Sequence, residues 1–378
     1  MKIVADENIP LLQRFFGDIG EVQEYPGREI STEHVRDADV LVVRSVTPVS
    51  AELLAGSRVR FVGSCTIGID HVDTDYLQEA GITFAHAPGS NANSVVEYIL
   101  SCLSILTETH NFDFDNHRVG IVGFGNVGSL LHRRLSKMGV SCLAYDPLLD
   151  DQEGLSSLKD VLDCEVITLH VPLTTEGEHA THYMFNAERL SQLRGDQVLI
   201  NTCRGAVIDN AALKQRLQQD DGFSAILDVW ENEPNIDPEL MRRVFIGTPH
   251  IAGYSFDGKV AGTEMVYRAL CSSMGLPARH KSAQFLEEPP LSKMAFTSMA
   301  DVDWCIHTAI RACFDVRHDH SQLLVTMQKD SVGRAEAFDA LRRDYRCRRE
   351  FAGVKIQLKK VESELHSKFK ALGFNVKN

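Results

Sequence analysis

Short apolar runs alternate with longer amphipathic stretches along the front of the chain. Four runs have the length and composition of buried strands: Lys2–Ala5, Val40–Val43, Arg60–Gly63 and Thr83–Ala85. The spacing predicts helices over Pro10–Gly17 and Asn91–Thr109. Because strands that are apolar on both faces belong to parallel sheets covered by helices, we expect this region to form a doubly wound α/β domain.

A second series of strands follows, with a predicted helix over Asn126–Met138 after its first member. The strands are predicted at Val119–Val122, Ser141–Tyr145, Val166–His170, Val198–Asn201, Ser224–Asp228 and Val244–Gly247. These runs are again short, rich in Val, Ile and Leu, and bounded by turns. The chain is therefore predicted to contain a second doubly wound parallel-sheet domain.

The pattern changes after His250. A helix is predicted over Gly262–Met274, and a linker runs from Pro277 to Pro290. Beyond the linker, helices are predicted near Asp301–Cys313 and Ala335–Arg349, and strands at Leu323–Met327 and Val354–Leu358. We expect three domains: residues 1–94 with 251–280, residues 95–250, and a smaller C-terminal α+β domain over residues 281–378.

Charge and cysteine content narrow the function classes. The formal net charge of −13 disfavours nucleic acid as a partner, since phosphate backbones require clustered Lys and Arg. The nine cysteines are scattered without a CxxC pair, which indicates reduced thiols. The chain opens on a strand instead of a signal peptide, and the apolar run around Glu97 is too short to span a bilayer. We expect a cytoplasmic protein without a membrane partner.

The end of the chain departs from this acidic balance. Residues 331–378 contain twelve Lys and Arg against six Asp and Glu. Acidic residues such as Asp344 and Glu350 interrupt the basic ones, which is typical of a solvated helix face. The alternative is that some of these bases contact an acidic partner chain or a phosphate.

A glycine-rich loop follows the first strand of the second series and opens a helix. It reads Gly123-Phe124-Gly125-Asn126-Val127-Gly128. In this context, Gly123 permits a tight turn, Gly125 lets the backbone approach a pyrophosphate, and Gly128 lets helix and strand pack closely. The amino end of the helix, at Asn126 and Val127, offers free N–H groups to phosphates.

The cofactor is predicted from the residue that ends the next strand. A dinucleotide-binding unit places an acidic residue about twenty positions after its loop, and Asp146 stands there. A carboxylate at this position accepts hydrogen bonds from the ribose hydroxyls and repels a 2′-phosphate. We therefore expect NAD as the cofactor.

Three further strands end close to residues suited to acid–base chemistry. They are followed by Arg204, by Glu231 and Glu233, and by His250. The carboxyl ends of parallel strands meet at one edge of the sheet, where such sheets bind ligands. Considered without the other two strand ends, Arg204 could equally well be a surface residue that forms a salt bridge. Arginine, a carboxylate and histidine delivered to one edge form a candidate catalytic group.

These motifs, in this order, resemble the D-2-hydroxyacid dehydrogenases. The segments that carry the resemblance are residues 123–128 with Asp146, His170–Thr174, Asn201–Asp209, Asp228–Pro234 and Pro249–Gly253. The resemblance covers roughly the first 275 residues. It implies a flavodoxin-like substrate domain, a Rossmann NAD domain and the oxidation of a 2-hydroxy acid.

The resemblance also implies a role for each residue. Arg204 would bind the substrate carboxylate, and His250 would take the hydroxyl proton. Glu233 would orient His250 in preference to Glu231, because the family's catalytic Glu directly precedes Pro. His170 is a rival base, but the family places its stretch at the nucleotide site. The implied cofactor-binding residues are Gly123, Gly125, Asn126, Val127, Gly128, Asp146, Val171, Thr202, Cys203, Arg204, Asp228 and Gly253.

Shorter motifs resemble one branch of the family, which oxidises 4-phospho-D-erythronate to 2-oxo-3-hydroxy-4-phosphobutanoate in vitamin B6 biosynthesis. They are Ala5–Pro10, Arg44–Thr47, Cys65–His71 and Phe314–Arg317. This branch implies substrate contacts from Ser45, Thr66 and Tyr254, and Arg44 is a candidate phosphate counter-ion. Turn capping is the alternative role for the two hydroxyls. The branch also implies a homodimer formed through the C-terminal domain.

Two alternatives to this activity stay open. One keeps the chemistry and changes the substrate, for example to 3-phosphoglycerate. The other is a corepressor-like binding module that responds to NAD and retains the catalytic residues without turnover. The pairs His179/His182 and His318/His320 lie in polar segments without a third ligand, so we expect surface histidines and no metal.

Overall fold

The computed structural model describes residues 1–110, 112–149, 155–359 and 363–377. The chain divides into two compact units: Met1–Asn93 with Tyr254–Glu288, and Ser94–Gly253 with Pro289–Asn378. Residues 289–378, here called the C-terminal segment, thus belong to the second unit. The division into three domains stays a prediction. Among the described residues, no helix is both long and apolar enough to cross a bilayer.

The first unit is built on a parallel five-stranded sheet with the order β2-β1-β3-β4-β5. Its elements are β1 (Lys2–Asp6), α1 (Leu12–Phe16), β2 (Glu21–Tyr25), α2 (Thr32–Val35), β3 (Val40–Val43), α3 (Ala51–Leu54), β4 (Phe61–Ser64), α4 (Thr74–Glu79) and β5 (Thr83–His86). This flavodoxin-like order confirms the predicted doubly wound fold. The sequence pattern did not indicate β2, because this edge strand has no fully buried residue.

The second unit contains a parallel six-stranded sheet with the order β11-β10-β9-β8-β6-β7. Its elements are α5 (Ala92–Thr109), β6 (Arg118–Val122), α6 (Asn126–Met138), β7 (Ser141–Tyr145), α7 (Leu158–Leu162), β8 (Val166–Leu169), α8 (Ala187–Ser191), β9 (Val198–Asn201), α9 (Asn210–Leu217), β10 (Ser224–Leu227), α10 (Pro238–Arg243) and β11 (Ile246–Gly247). Every predicted strand of this series is present. A single parallel bridge from Ala144 to Leu155 extends the β7 side of the sheet.

The strand order of this sheet reverses at β6. β6 pairs with β7 on one side and with β8 on the other, so the chain continues in opposite directions from these two strands. Ligands of open α/β sheets bind in the crevice at such a switch point, outside the carboxyl ends of the strands. The glycine-rich loop follows β6 directly, so it lies at this point.

After α11 (Phe256–Ser273) of the first unit, the C-terminal segment forms a small parallel sheet with the order β12-β13-β14. Its elements are β12 (Lys293–Thr297), α12 (Val302–Cys313), α13 (Val316–Thr326), α14 (Ser331–Arg343), β13 (Lys355–Lys359), α15 (Ser363–Leu372) and β14 (Asn375–Lys377). The pattern indicated β13 but neither β12 nor β14. The helix predicted to reach Arg349 ends at Arg343.

The strand predicted at Leu323–Met327 is wrong. Leu323 to Thr326 form the end of α13, with Leu323 and Met327 buried and Val325 60% exposed. Burial at positions i and i+4 is the helical spacing. Leu323 and Met327, with Phe338 of α14, join the hydrophobic core that also contains Leu240. Helices α13 and α14 therefore share a core with the six-stranded sheet.

Candidate active site

The glycine-rich loop has the geometry of a phosphate cradle. Gly123 has a φ of 95°, and a side chain there would lie 2.5 Å from the His170 carbonyl oxygen. At Gly128 a side chain would lie 2.0 Å from the Gly123 carbonyl oxygen. Gly125, at the amino end of α6, faces open space instead. A side chain at Gly125 would fill the space that a pyrophosphate needs, so the loop fits a dinucleotide.

Asp146 is held against this loop. One carboxylate oxygen accepts a hydrogen bond from the Phe124 N–H at 2.9 Å, and the other accepts one from the Leu148 N–H at 3.1 Å. Each carboxylate oxygen has a second lone pair, so this orientation still allows Asp146 to accept from ribose hydroxyls. Nearby, a cavity of about 150 Å³ is lined by residues that include Gly123, Tyr145 and Val171.

The segment after β8 and β9 carries the other implied nucleotide contacts. Thr202 Oγ1 lies 3.5 Å from His170 Nδ1, and the buried Cys203 donates its N–H to Asn201 Oδ1 at 3.1 Å. Burial lowers the pKa of His170 to about 3. An imidazole with so low a pKa is a poor proton acceptor at neutral pH, so His170 does not suit the role of general base.

The loop with Arg204 packs directly on the loop with Glu233. β9, β10 and β11 are neighbours in the sheet, so their carboxyl ends lie side by side. A side chain at Gly205 would lie 2.0 Å from the backbone carbonyl of Trp230, so glycine permits this approach. Arg204 itself is half-buried and donates from Nη1 to the Cys203 carbonyl oxygen at 2.8 Å.

His250 and Glu233 form a hydrogen-bonded pair. Nδ1 of His250 donates to Oε2 of Glu233 at 2.7 Å, and the side chains are 33% and 17% exposed. Glu233 Oε1 accepts from the Trp230 N–H at 2.9 Å. Burial alone would raise the pKa of Glu233, but His250, the Trp230 N–H and Arg342 together hold this pKa below its ordinary value. Glu233 is therefore a carboxylate that orients the imidazole.

Glu231 has a different set of partners. One oxygen accepts from the Asn210 N–H at 2.8 Å, and the other accepts from the Tyr183 hydroxyl at 2.7 Å. Glu231 therefore binds the start of α9 and a loop residue. Of the two glutamates, Glu233 is the one whose hydrogen bond to His250 is observed.

The backbone at His250 is held in the left-handed region, with a φ of 58°. A non-glycine residue there costs about 1–3 kcal/mol and persists only where the surroundings enforce it. Buried Asp228 supplies that constraint: its carboxylate accepts from the Ile251 and Ala252 N–H groups at 2.8 and 2.9 Å. Thr248 also donates its hydroxyl to Asp228, at 2.6 Å.

These contacts add a second role to the one expected for Asp228. The family resemblance placed it beside the cofactor, whereas the observed bonds brace the loop that carries His250. Burial raises the pKa of Asp228, which His250, Thr248 and the two N–H groups partly offset.

The substrate residues expected in the first unit follow β3 and β4. Ser45 is exposed, and Thr66 Oγ1 lies 2.8 Å from Ser64 Oγ and donates to the Gly68 carbonyl at 3.2 Å. The Thr66 hydroxyl thus also caps its own turn. Arg44 donates from Nε to the buried Asp6 at 3.0 Å, which fixes its guanidinium and balances its charge. The Tyr254 ring lies 4.3 Å from Lys259 Nζ.

Sequence reasoning missed three C-terminal residues near the strand ends. His320, expected at the surface, is half-buried, and its Nδ1 accepts from the Gly247 N–H at 3.0 Å. Arg342 Nη1 lies 4.0 Å from Glu233 Oε2. Arg348 is buried and donates to the Ala252 carbonyl at 3.2 Å. No local pattern marks these residues, since each contact joins positions at least 73 apart.

Comparisons with known proteins agree with this arrangement. The model of the D-isomer specific 2-hydroxyacid dehydrogenase NAD-binding domain matches residues 106–252, and a domain of unknown function matches residues 285–373. An erythronate-4-phosphate dehydrogenase from Hahella chejuensis is 55% identical over 100% of this chain and 99% of its own. The one from Marinobacter nauticus is 51% identical over the full length of both.

A solved structure shares the fold of most of the chain. The D-lactate dehydrogenase from Aquifex aeolicus, complexed with NAD and lactic acid, has a TM-score of 0.58 and 25% identity, covering 73% of this chain and 96% of its own. The full-length relatives share much more sequence and also extend over the C-terminal segment. The chain therefore belongs to the D-isomer specific 2-hydroxyacid dehydrogenase family and, within it, to the erythronate-4-phosphate dehydrogenases.

Proposed function

We propose that this protein oxidises the C2 hydroxyl of 4-phospho-D-erythronate with NAD, giving 2-oxo-3-hydroxy-4-phosphobutanoate, NADH and a proton, as a step of vitamin B6 biosynthesis. The observation that carries the chemistry is the 2.7 Å bond between Glu233 and His250, on the sheet edge that also bears the glycine-rich loop. The choice of substrate rests on relatives of that activity that match the whole chain.

The chain's own residues bind the substrate, orient the base and transfer the proton. Nδ1 of His250 is bonded to Glu233, so Nε2 is the atom that takes the proton from the C2 hydroxyl. Arg204 binds the substrate carboxylate through its fork of donors. When bound, NAD supplies the acceptor for the hydride that leaves C2. The ionised Glu233 stabilises the imidazolium that forms.

The remaining contacts are proposed from position. The residues that hold NAD are Gly123, Gly125, Asn126, Val127, Gly128, Asp146, Val171, Thr202, Cys203, Arg204, Asp228 and Gly253. Ser45, Thr66 and Tyr254 bind the substrate from the first unit. The net charge of −13 supports a protein without a nucleic-acid partner, and the nine scattered cysteines support the reducing conditions of the cytoplasm.

Purified protein should reduce NAD with 4-phospho-D-erythronate, with a kcat/KM at least about tenfold above those for 3-phosphoglycerate and D-lactate, because buried polar groups disfavour substrates that leave them unpaired. NADH absorbance measures the rates in both directions. A preference for 3-phosphoglycerate would contradict the substrate. Absence of turnover with every hydroxy acid, while NAD still binds, would favour a non-catalytic binding module.

We also infer that the protein forms a homodimer through the C-terminal segment. β12 lies at the edge of its sheet. Beside it, a groove of about 720 Å³ is lined by Met294, Phe296, Met299 and Trp304. Met299 is 91% exposed and Trp304 is 55% exposed. An exposed apolar patch next to an open sheet edge fits a self-complementary contact with a second copy of the chain.

Trp304→Glu should convert the dimer to a monomer, because the contact would bury an uncompensated charge. Light scattering after size exclusion measures the mass, which should fall from twice the chain's mass to the single value. Val332 is 67% exposed on α14, outside the groove lining, so Val332→Glu is the matched control and should stay dimeric. A wild-type monomer would contradict the inference.

A further inference from the structure

The C-terminal segment contacts the catalytic strand ends at three places. His320 of α13 accepts from the Gly247 N–H at 3.0 Å, and Arg348 donates to the Ala252 carbonyl at 3.2 Å. Between these positions in the chain, Arg342 lies beside Glu233. The contacts to Gly247 and Ala252 therefore lie on either side of His250 in the chain, and the contact from Arg342 is to the carboxylate that orients His250.

Arg342 is placed on Glu233 by its helix. It stands in the last turn of α14, and Phe338 of the same helix is fully buried in the core shared with the six-stranded sheet. The Arg342 side chain is 22% exposed, and Nη1 lies 4.0 Å from Glu233 Oε2. Because Oε2 also accepts from His250 at 2.7 Å, the guanidinium is no further than about 7 Å from the imidazole Nδ1.

Several charged groups surround this pair. His250 and Arg342 both lower the pKa of Glu233 against the opposing effect of burial. Asp228, buried under the His250 loop, also interacts electrostatically with His250. Two other C-terminal arginines pair with different carboxylates: Arg346 lies 3.2 Å from Asp319, and Arg348 lies 4.0 Å from Glu97. Arg342 is thus a C-terminal cation beside the carboxylate of the Glu233–His250 pair.

We propose that Arg342 is a positioning residue of the active site, so that the C-terminal segment, which matches a domain of unknown function, supplies a third member to the Glu233–His250 pair. The inference rests on the proposed function. In this proposal, a fixed cation keeps Glu233 ionised and makes proton binding by the Glu233–His250 pair less favourable. The imidazole is then held in the orientation and the neutral form that oxidation requires.

The direction of the effect follows from charge. Removing a cation favours the protonated form of each neighbouring group, so both Glu233 and the pair as a whole bind a proton at higher pH. The acid limb of the pH profile of kcat/KM should therefore move to higher pH. At this separation, with partial exposure, the movement should be about 0.5–1 pH unit.

The test compares two neutral variants with a charged one. Arg342→Met retains the apolar packing of the arginine stem, and Arg342→Gln retains polarity; both should shift the acid limb upward and lower kcat about threefold to thirtyfold at neutral pH. Arg342→Lys should restore most of the acid-limb position. In all three, KM for 4-phospho-D-erythronate should stay within about threefold of the wild-type value.

The neighbouring Arg343 gives the control. It is exposed and pairs with Asp344 at 3.0 Å, so Arg343→Gln removes the same charge without reaching Glu233 and should keep the wild-type profile. An unshifted acid limb in folded Arg342→Met would overturn the proposal. A large rise in KM with an unshifted limb would instead make Arg342 a ligand of the substrate phosphate. Absence of turnover by the wild type would refute the proposed function itself, so the two failures are distinguishable.

Discussion

Replacing His250 with alanine should lower kcat about 10²- to 10⁴-fold, because the variant has no group to take the C2 hydroxyl proton. NAD affinity should stay unchanged, since the glycine-rich loop follows a different strand. Steady-state NADH formation and a calorimetric NAD titration measure the two quantities. In the wild type the base must be neutral, so kcat/KM should fall as the pH falls. The alanine variant should lose this acid limb.

Backbone strain at this position calls for a second variant. His250 has a φ of 58°, and asparagine adopts that region more readily than alanine does. His250→Asn should therefore be as inactive as His250→Ala but unfold at a higher temperature. His318 is exposed on α13, so His318→Ala should keep wild-type kcat. Near-wild-type turnover by either His250 variant would remove His250 from the role of base.

Gly205→Ala should lower kcat/KM about 100-fold through a displacement of Arg204. The added carbon would lie 2.0 Å from the Trp230 carbonyl and 2.6 Å from the Glu231 nitrogen, both backbone atoms. The loops after β9 and β10 must then separate. A displacement near 1 Å of a catalytic group costs about 100-fold in rate, and overpacking costs about 1–3 kcal/mol of stability.

Kinetics and thermal unfolding together check this prediction. A folded variant with low kcat/KM and normal NAD affinity is expected. Gly333→Ala is the control, because the three atoms nearest to an added carbon there belong to the side chains of Asp330 and Lys329 and not to the backbone. It should match the wild type in activity. Equal activity of Gly205→Ala would mean that the contact between the two loops does not position Arg204.

The two predictions share one structural cause. His250 and Arg204 lie on loops that have little regular structure, and contacts to the backbone of each loop fix the positions of these residues. Asp228 binds two N–H groups beyond His250, and Gly205 allows its loop to touch Trp230. The proposed catalytic geometry therefore depends on residues that carry out none of the chemistry.

Local pattern was sufficient to predict most of the two large sheets. Buried parallel strands such as Val198–Asn201 are apolar along their whole length, and the glycine-rich loop has a spacing that its conformation requires. Strand ends also placed Arg204, Glu233 and His250 on one edge, since parallel strands share their direction. The edge strand Glu21–Tyr25 escaped prediction, because an edge strand needs no continuous apolar run.

Residues 323–327 show where local pattern fails. Their leucines and valine are typical of a strand, yet Leu323 and Met327 are buried on one side of α13 while Val325 faces solvent. The sheet core against which the helix packs selects the helical alternative. A short apolar run does not contain that information, because its packing partner is elsewhere in the chain.

By itself, the sequence determined most strands of the two large sheets, the cofactor loop and the chemical types of the proposed catalytic residues, because each depends on neighbours within a few positions. Tertiary structure alone decided that Glu231 binds the Asn210 N–H, that Asp228 braces the His250 loop, and that Arg342 lies on Glu233. The physical reason is separation. Residues 233 and 342 are brought together by packing of the whole second unit, and no periodicity along the chain records that contact.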